Sequence, residues 1–279
     1  METGSLKQLF IYPVKSLKGI SLPSSRVTPL GLEYDRRWMI VDEKGRFITQ
    51  RLYPQLSLIE TAIVDETIVL TADGHKGLQL PLHLNSGDST TVMVWRDSVE
   101  SVQAPDSFNQ WISAYLGSAC RFVYMPDTTI RQVNQEFAIS ARDSVSFADG
   151  FPFLIISQAS LDDLNEHLLA KGEQPVPIQR FRPNLFVDAT RAFAEDDWQT
   201  ISIGNNRFHN VKPCSRCVMT TVNTKGEKGK EPLATLMQYR KQGQQAYFGQ
   251  NAILDNDFNN ALTLKVGDRI EIIKSRTDE

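Results

Sequence analysis

Cysteine is scarce in this chain: 279 residues hold three. That is too few for the disulfide framework of a secreted miniature domain. It is also one thiolate short of the four that the common iron–sulfur clusters need, so the chain alone is expected to hold no such cluster. Residues 1–20 lack the apolar core of a signal peptide, and no apolar run approaches the roughly 18 residues that mark a membrane span. The expectation is a cytoplasmic protein in a reducing compartment, without membrane attachment. Charge of one sign is missing too. The formal net charge is −3, which leaves no basic field to point to nucleic acid. Low-complexity tracts are absent, and 41% hydrophobic with 23% charged residues is ordinary for a globular protein. At this length the chain can bury one large core or two ordinary ones.

What is present is mostly β pattern. From Leu6 to Val102, short apolar or alternating runs such as Leu9–Tyr12, Trp38–Val41, Leu58–Ala62, Ile68–Leu70 and Thr91–Trp95 are separated by Gly- and Asp-bearing turns. Such spacing predicts a barrel or sandwich-like β domain. The period changes over Ser107–Gly117, where Phe108, Trp111, Ile112, Tyr115 and Leu116 follow helical spacing and Gly117 supplies the stop. The less patterned run from Pro126 to Val145 marks a junction, which divides the chain into domains at 1–125 and 126–279. The second part opens with a Gly-Phe-Pro turn feeding the apolar run to Ile156. A helix over Leu161–Lys171 is expected next, capped by Ser160 with Asp163 in the capping-box position and ended by Gly172. A last amphipathic helix starts at Pro232, and Asn251–Leu254 and Leu264–Ile273 read as closing strands. The fold class is mainly β with a few helices.

The chemistry concentrates in Val211–Val222, where Cys214 and Cys217 stand three apart with Arg216 beside the second. A cysteine is a nucleophile or metal ligand only as the thiolate, and an adjacent cation favours that form. A structural zinc site would need a second ligand pair, and only His209 is nearby. A thioredoxin-like dithiol would open a helix, whereas Val218–Val222 is rich in β-branched residues and reads as a strand. Two inert buried thiols are the third alternative. The reading favoured is one ligating or reactive cysteine at a strand start, with Pro213 and Arg216 shaping its loop. Elsewhere, the Tyr12–Gly19 loop offers Lys15, Ser16 and Lys18. Asp35 stands beside Arg36 and Arg37, and Arg182 and Asn184 flank a proline ahead of an apolar strand. Singly, each has a bland reading as a solvated turn or a structural ion pair.

Together, the Tyr-Pro-Val-Lys-Ser loop, Asp35-Arg36 before Trp38, Phe181-Arg-Pro-Asn184, Cys214-Ser-Arg-Cys217 followed by Thr-Thr-Val222, and Val266-Gly-Asp268 resemble the MOSC-domain proteins. More narrowly the chain resembles the branch of the mitochondrial amidoxime-reducing component and the bacterial YcbX-like proteins, over nearly its whole length. The resemblance implies an N-terminal MOSC β-barrel domain, then a β-barrel-like MOSC domain, with a molybdenum cofactor between them. It implies Cys217 as the protein ligand to molybdenum, and Lys15, Ser16, Arg36, Arg182, Asn184, Ser215 and Arg216 as positions that hold the pterin and its phosphate. One departure stands out: Gly150 and Phe151 occupy positions where eukaryotic relatives carry hydroxyl residues, so a contact there has to come from the backbone. The activity implied is two-electron reduction of N-hydroxylated compounds such as amidoximes, hydroxylamines or N-hydroxylated nucleobases. YcbX-like relatives often carry an appended iron–sulfur domain. The sequence here ends at Glu279, so the electrons are expected from a separate donor: a ferredoxin-like protein, a flavin reductase or a b-type cytochrome. Water at the metal or a carboxylate such as Asp35 is the candidate proton source. The alternatives are a cofactor carrier or sulfur-transfer protein without reductase activity, and a binding module with inert thiols.

Overall fold

The structure is a computed structural model that describes residues 3–189, 191–258 and 260–276. Seven strands close on themselves: β1 (Thr3–Ile11), β2 (Phe153–Ser157), β3 (Leu185–Val187), β4 (Trp198–Ile203), β5 (Asn206–Arg216), β6 (Gln245–Leu254) and β7 (Arg269–Ser275). Round the barrel the order is β2, β3, β1, β7, β4, β5, β6, and β6 pairs back to β2. Only β2 and β3 run parallel. Closure gives each of the seven strands a neighbour on both sides.

Period-two alternation explains why these strands look apolar throughout. Leu9 and Ile11 on β1, Phe153 and Ile155 on β2, and Leu185 and Val187 on β3 fill the barrel interior with Trp198, Phe208 and Leu254. Their neighbours Phe10, Leu154, Ile156 and Phe186 point outward, yet they too are buried, because α2 (Gln158–Leu169) and α3 (Leu233–Tyr239) cover that face with Leu161, Leu164, Leu168 and Leu236. A strand with apolar partners on both faces reads as an unbroken hydrophobic run.

Two of the three further sheets come wholly from the first half. Trp38–Asp42, Cys120–Tyr124, Asp97–Gln103 and Ser89–Val94 form one; Glu60–Val64, Thr67–Thr71 and Leu78–Pro81 form the other. Between them α1 (Asp106–Leu116) buries Ile112 and Leu116 against Trp38, Leu70 and Phe122. It stops at Gly117, whose φ of 64° is the left-handed cap that glycine adopts without penalty.

Two expectations need correction. The α2 helix starts one turn earlier than Leu161: Ser157 is the cap, its Oγ accepting from the Ser160 amide at 3.2 Å. Ser160 is drawn inward instead, because its hydroxyl donates to the buried Glu195 carboxylate at 2.8 Å. Val218–Thr221 is a 3-10 turn and not a strand. There the Thr220 and Thr221 hydroxyls donate back to the Cys217 and Val218 carbonyls at 3.0 and 2.8 Å. Such local bonds offer the backbone an alternative to a ladder. The two halves are interlocked: β1 lies between β3 and β7, so the residues at 3–11 pair within the barrel built by the second half. A cut between 125 and 126 would separate this strand from every barrel strand it pairs with.

Candidate functional site

A cavity of about 360 Å³ opens where the loop after β1, the first-half sheets and the end of β5 meet. Each sequence-predicted site residue lines it: Lys15, Ser16, Arg36, Arg182, Asn184, Ser215, Arg216 and Cys217. They come from both halves of the chain.

The deep end is built on Tyr12. Its ring, buried, lies 4.3 Å from the Arg36 guanidinium and 4.1 Å from that of Arg182. Burial, only partly opposed by these cations, pushes the Tyr12 hydroxyl up to about 12. Arg36 donates to Asp35 at 2.6 Å, to the Asn184 side-chain oxygen at 3.1 Å and to the Arg182 carbonyl at 3.2 Å. Asn184 in turn donates to the Phe10 carbonyl, which makes it a spacer between β1 and the arginine pair. Arg182 has one carbonyl partner, Leu17 at 2.6 Å, and among the described residues no carboxylate within 4 Å. Burial lowers its pKa to about 10.

Ser16, Arg36, Trp95 and Arg182 all line the cavity with φ between 49° and 72°. Non-glycine residues hold that left-handed conformation at a cost of about 1–3 kcal/mol each, and such strain concentrates where side chains must be aimed. The Ser16 hydroxyl is buried and has no hydrogen-bond partner among the described residues.

The cysteine end differs from expectation in its cation. Arg216 turns away from Cys217: its Nε and Nη2 donate to the Phe248 carbonyl at 2.8 and 2.5 Å, and its Nη1 to the Phe181 carbonyl at 3.0 Å. Sequence neighbours on an extended strand project to opposite sides, so adjacency in sequence did not give adjacency in space. Arg51 takes the place instead, with Nη2 3.5 Å from the Cys217 sulfur and 3.4 Å from Asp149. Cys214 is enclosed in the same wall, and burial pushes its thiol up. Ser215 lines the cavity and is exposed.

Asp149 is the lining carboxylate among seven lining cations, namely Lys15, Arg36, Arg51, Arg180, Arg182, Lys212 and Arg216. The Lys15 ammonium donates to it and to the Phe147 carbonyl, both at 2.6 Å. Desolvation at the cavity wall would raise the Asp149 carboxyl, but the group is half-exposed and Lys15 and Arg51 hold it well below the usual carboxylate range. Burial also brings Lys15 down to about 8, Asp149 only partly restoring it. Beneath them Arg131 is fully engaged, donating to the Ser146, Ala148 and Asp149 carbonyls and to the Asp97 carboxylate. It fastens the Asp149 loop to the hairpin that carries Trp95.

Arg51, Trp95, Asp149, Arg180 and Lys212 were missed by sequence reasoning. Asp149 adjoins the Gly-Phe-Pro turn and was within reach; Arg51 lies in a loop with no periodicity and no motif. Asp35, offered as a proton source, is buried and occupied by the Tyr12 amide and Arg36, and does not line the cavity. His209 is engaged by Thr200 and Asp255 and does not line the cavity. Among the described residues no three of His, Cys, Asp and Glu gather as a metal-binding group.

A strained cationic basin drawn from both halves thus faces a cysteine at the end of a barrel strand. Residues 3–119 match the MOSC N-terminal beta barrel domain and residues 142–271 match the MOSC domain. The chain belongs to the MOSC-domain family, in the branch of the mitochondrial amidoxime-reducing components. It is 35% identical to mitochondrial amidoxime-reducing component 1 of Mus musculus, over 98% of this chain and 83% of that protein. It is 33% identical to the Homo sapiens counterpart, over 98% and 84%. A molybdenum cofactor sulfurase of Oryza sativa is 32% identical over 88% of this chain, but that stretch is 32% of the sulfurase.

Proposed function

We propose that this protein is a molybdenum-cofactor-dependent reductase of N-hydroxylated compounds: an N–OH group, two electrons and two protons give N–H and water. The observation that carries the reading is one cavity holding both a cysteine sulfur and a buried hydroxyl, Ser16 Oγ, without a partner among the described residues, amid cations short of carboxylates. These residues fit the cofactor. A phosphate needs convergent charged and hydroxyl donors, which Lys15, Ser16, Arg36 and Arg182 supply. Asn184, Ser215 and Arg216 would shape the pterin's bed, and Cys217 would be the single protein ligand, a soft thiolate suited to such a metal. When bound, the group supplies the redox-active centre that delivers electrons to the N–O bond.

The chain's own residues do the rest. Arg51 holds the Cys217 sulfur toward the cavity, and Asp149 fixes Arg51 and Lys15 together. Trp95 and Phe151 form part of the cavity wall. Electrons are proposed to come from a separate donor protein, ferredoxin-like, a flavin reductase or a b-type cytochrome. A cytoplasmic site is proposed on the sparse cysteines, although the amidoxime-reducing relatives are named mitochondrial. Among the described residues no helix is long and apolar enough to cross a membrane.

Likeness to the sulfurase favours the second reading, a cofactor carrier or sulfur-transfer protein. One experiment separates them. Protein made in molybdate-supplied cells is analysed for molybdenum and assayed with reduced viologen and benzamidoxime, wild type against Cys217→Ala. The expected result is about one molybdenum per chain and turnover in the wild type, both lost in the variant. Molybdenum without turnover would favour the carrier. A metal content unchanged by Cys217→Ala would overturn the ligand assignment.

A further inference from the structure

Among the lining cations, Lys212 is the one that no group in the site engages. Lys15 and Arg51 share Asp149, Arg36 holds Asp35, and Arg180, Arg182 and Arg216 are bonded to backbone carbonyls. Among the described residues Lys212 has no hydrogen bond and no carboxylate within 4 Å; its neighbour is the Phe137 ring, 4.2 Å from Nζ to the centroid. Phe137 meets Phe151 edge to face at 6.1 Å, and Phe151 is part of the cavity wall.

Lys212 reaches this position through an irregularity in β5. The register against β6 slips between Asn210 and Lys212, and again between Pro213 and Ser215. Without the first slip Lys212 would share the strand face of Phe208, which fills the barrel interior. Bulges of this kind re-aim a side chain beside an active site. Its place is the outer end of the cavity, because the Phe137 loop carries the exposed Asn134, Gln135 and Glu136, whereas Ser16 and Asn184 at the other end are buried.

We propose that Lys212, backed by Phe137 and Phe151, is an anion-anchoring subsite for the tail of a planar N-oxygenated substrate, a phosphate monoester or carboxylate held at the cavity's outer end. This deepens the reductase reading and rests on it. A lysine is a point charge that takes either anion without demanding bidentate geometry, and the aromatic wall accepts a flat ring.

The test uses cofactor-loaded protein and two neutral and anionic pairs that cannot be reduced: benzamide with para-carboxybenzamide, and adenosine with AMP. Dissociation constants are measured by calorimetry at low and high salt. The carboxylate or phosphate member is expected to bind about tenfold tighter than its neutral partner, as for a hydrogen bond to a charged group. The advantage shrinks at high salt. It is lost in Lys212→Met and kept in Lys212→Arg, and whichever pair shows it identifies the anion. Equal affinities within both pairs in the wild type, or an advantage that survives Lys212→Met, overturn the subsite. In turnover, para-carboxybenzamidoxime or an N-hydroxyadenine nucleotide is expected to gain over its neutral counterpart in KM and not in kcat. Were no N-oxygenated compound reduced while the binding advantage held, the reductase reading would fail and the anion subsite would stand.

Discussion

Cys217 and Arg51 are 166 positions apart in the chain and 3.5 Å apart at the site. Local sequence pointed to Arg216 as the cation of that sulfur, since spacing was all it had; the strand geometry that turns Arg216 to the Phe248 carbonyl is not written in the motif. The cationic set was legible only through the family resemblance, because Lys15, Arg36 and Arg182 taken singly read as a solvated turn or structural ion pairs. Asp149 joins the two groups, which gives a pH dependence with a definite sign. Its carboxyl is held below the ordinary 3.8, so the stabilisation is complete above that value and is lost as pH falls toward the depressed one. We predict that the denaturation midpoint of the cofactor-free wild type drops between pH 7 and pH 3 by more than that of Asp149→Asn. At pH 7 the variant is the less stable of the two. Parallel acid limbs would show that Asp149 carries no such linkage.

At the level of elements, strands were readable wherever apolar alternation ran on, and their ends were readable where glycine stopped them, as at Gly117 after α1. The start of α2 was not, and the reason is a long-range contact. Two serines compete for the cap, and Glu195, buried in a turn 35 residues further on, settles it by engaging the Ser160 hydroxyl. The Ser157 amide and hydroxyl donate to the same carboxylate at 3.1 and 2.8 Å. Glu195→Ala strands those donors in the core, where each unsatisfied polar group costs about 1–3 kcal/mol. Two or more are orphaned, so a loss of about 2–4 kcal/mol in denaturant unfolding is expected. A loss under about 0.5 kcal/mol, the range of a surface substitution, would show that this network does not support the helix. The turn after Cys217 was misread for a similar reason. Threonine favours strands when its side chain packs, but Thr220 and Thr221 spend their hydroxyls on their own backbone.

For the molecule as a whole, the mainly β class and the presence of two β-rich parts could be read from turn spacing, but not the exchange of β1. A strand's partners depend on distant residues, and Thr3–Ile11 is as apolar as the strands that follow it in its own half. We predict that residues 126–279 expressed alone bind a hydrophobic dye and lack a cooperative thermal transition, since the barrel is open between β3 and β7. Adding a peptide of residues 1–20 is expected to restore the transition. A fragment that melts cooperatively without the peptide would show that the seven-stranded ring can close by other means.

That seat between β3 and β7 also orders events in time. One of its two neighbours, Arg269–Ser275, lies far along the chain from it. Until the two strands meet the ring stands ajar, and the loop after Ile11, with Lys15 and Ser16, has no fixed wall to face. Pairings this distant in sequence make ring closure a slow step.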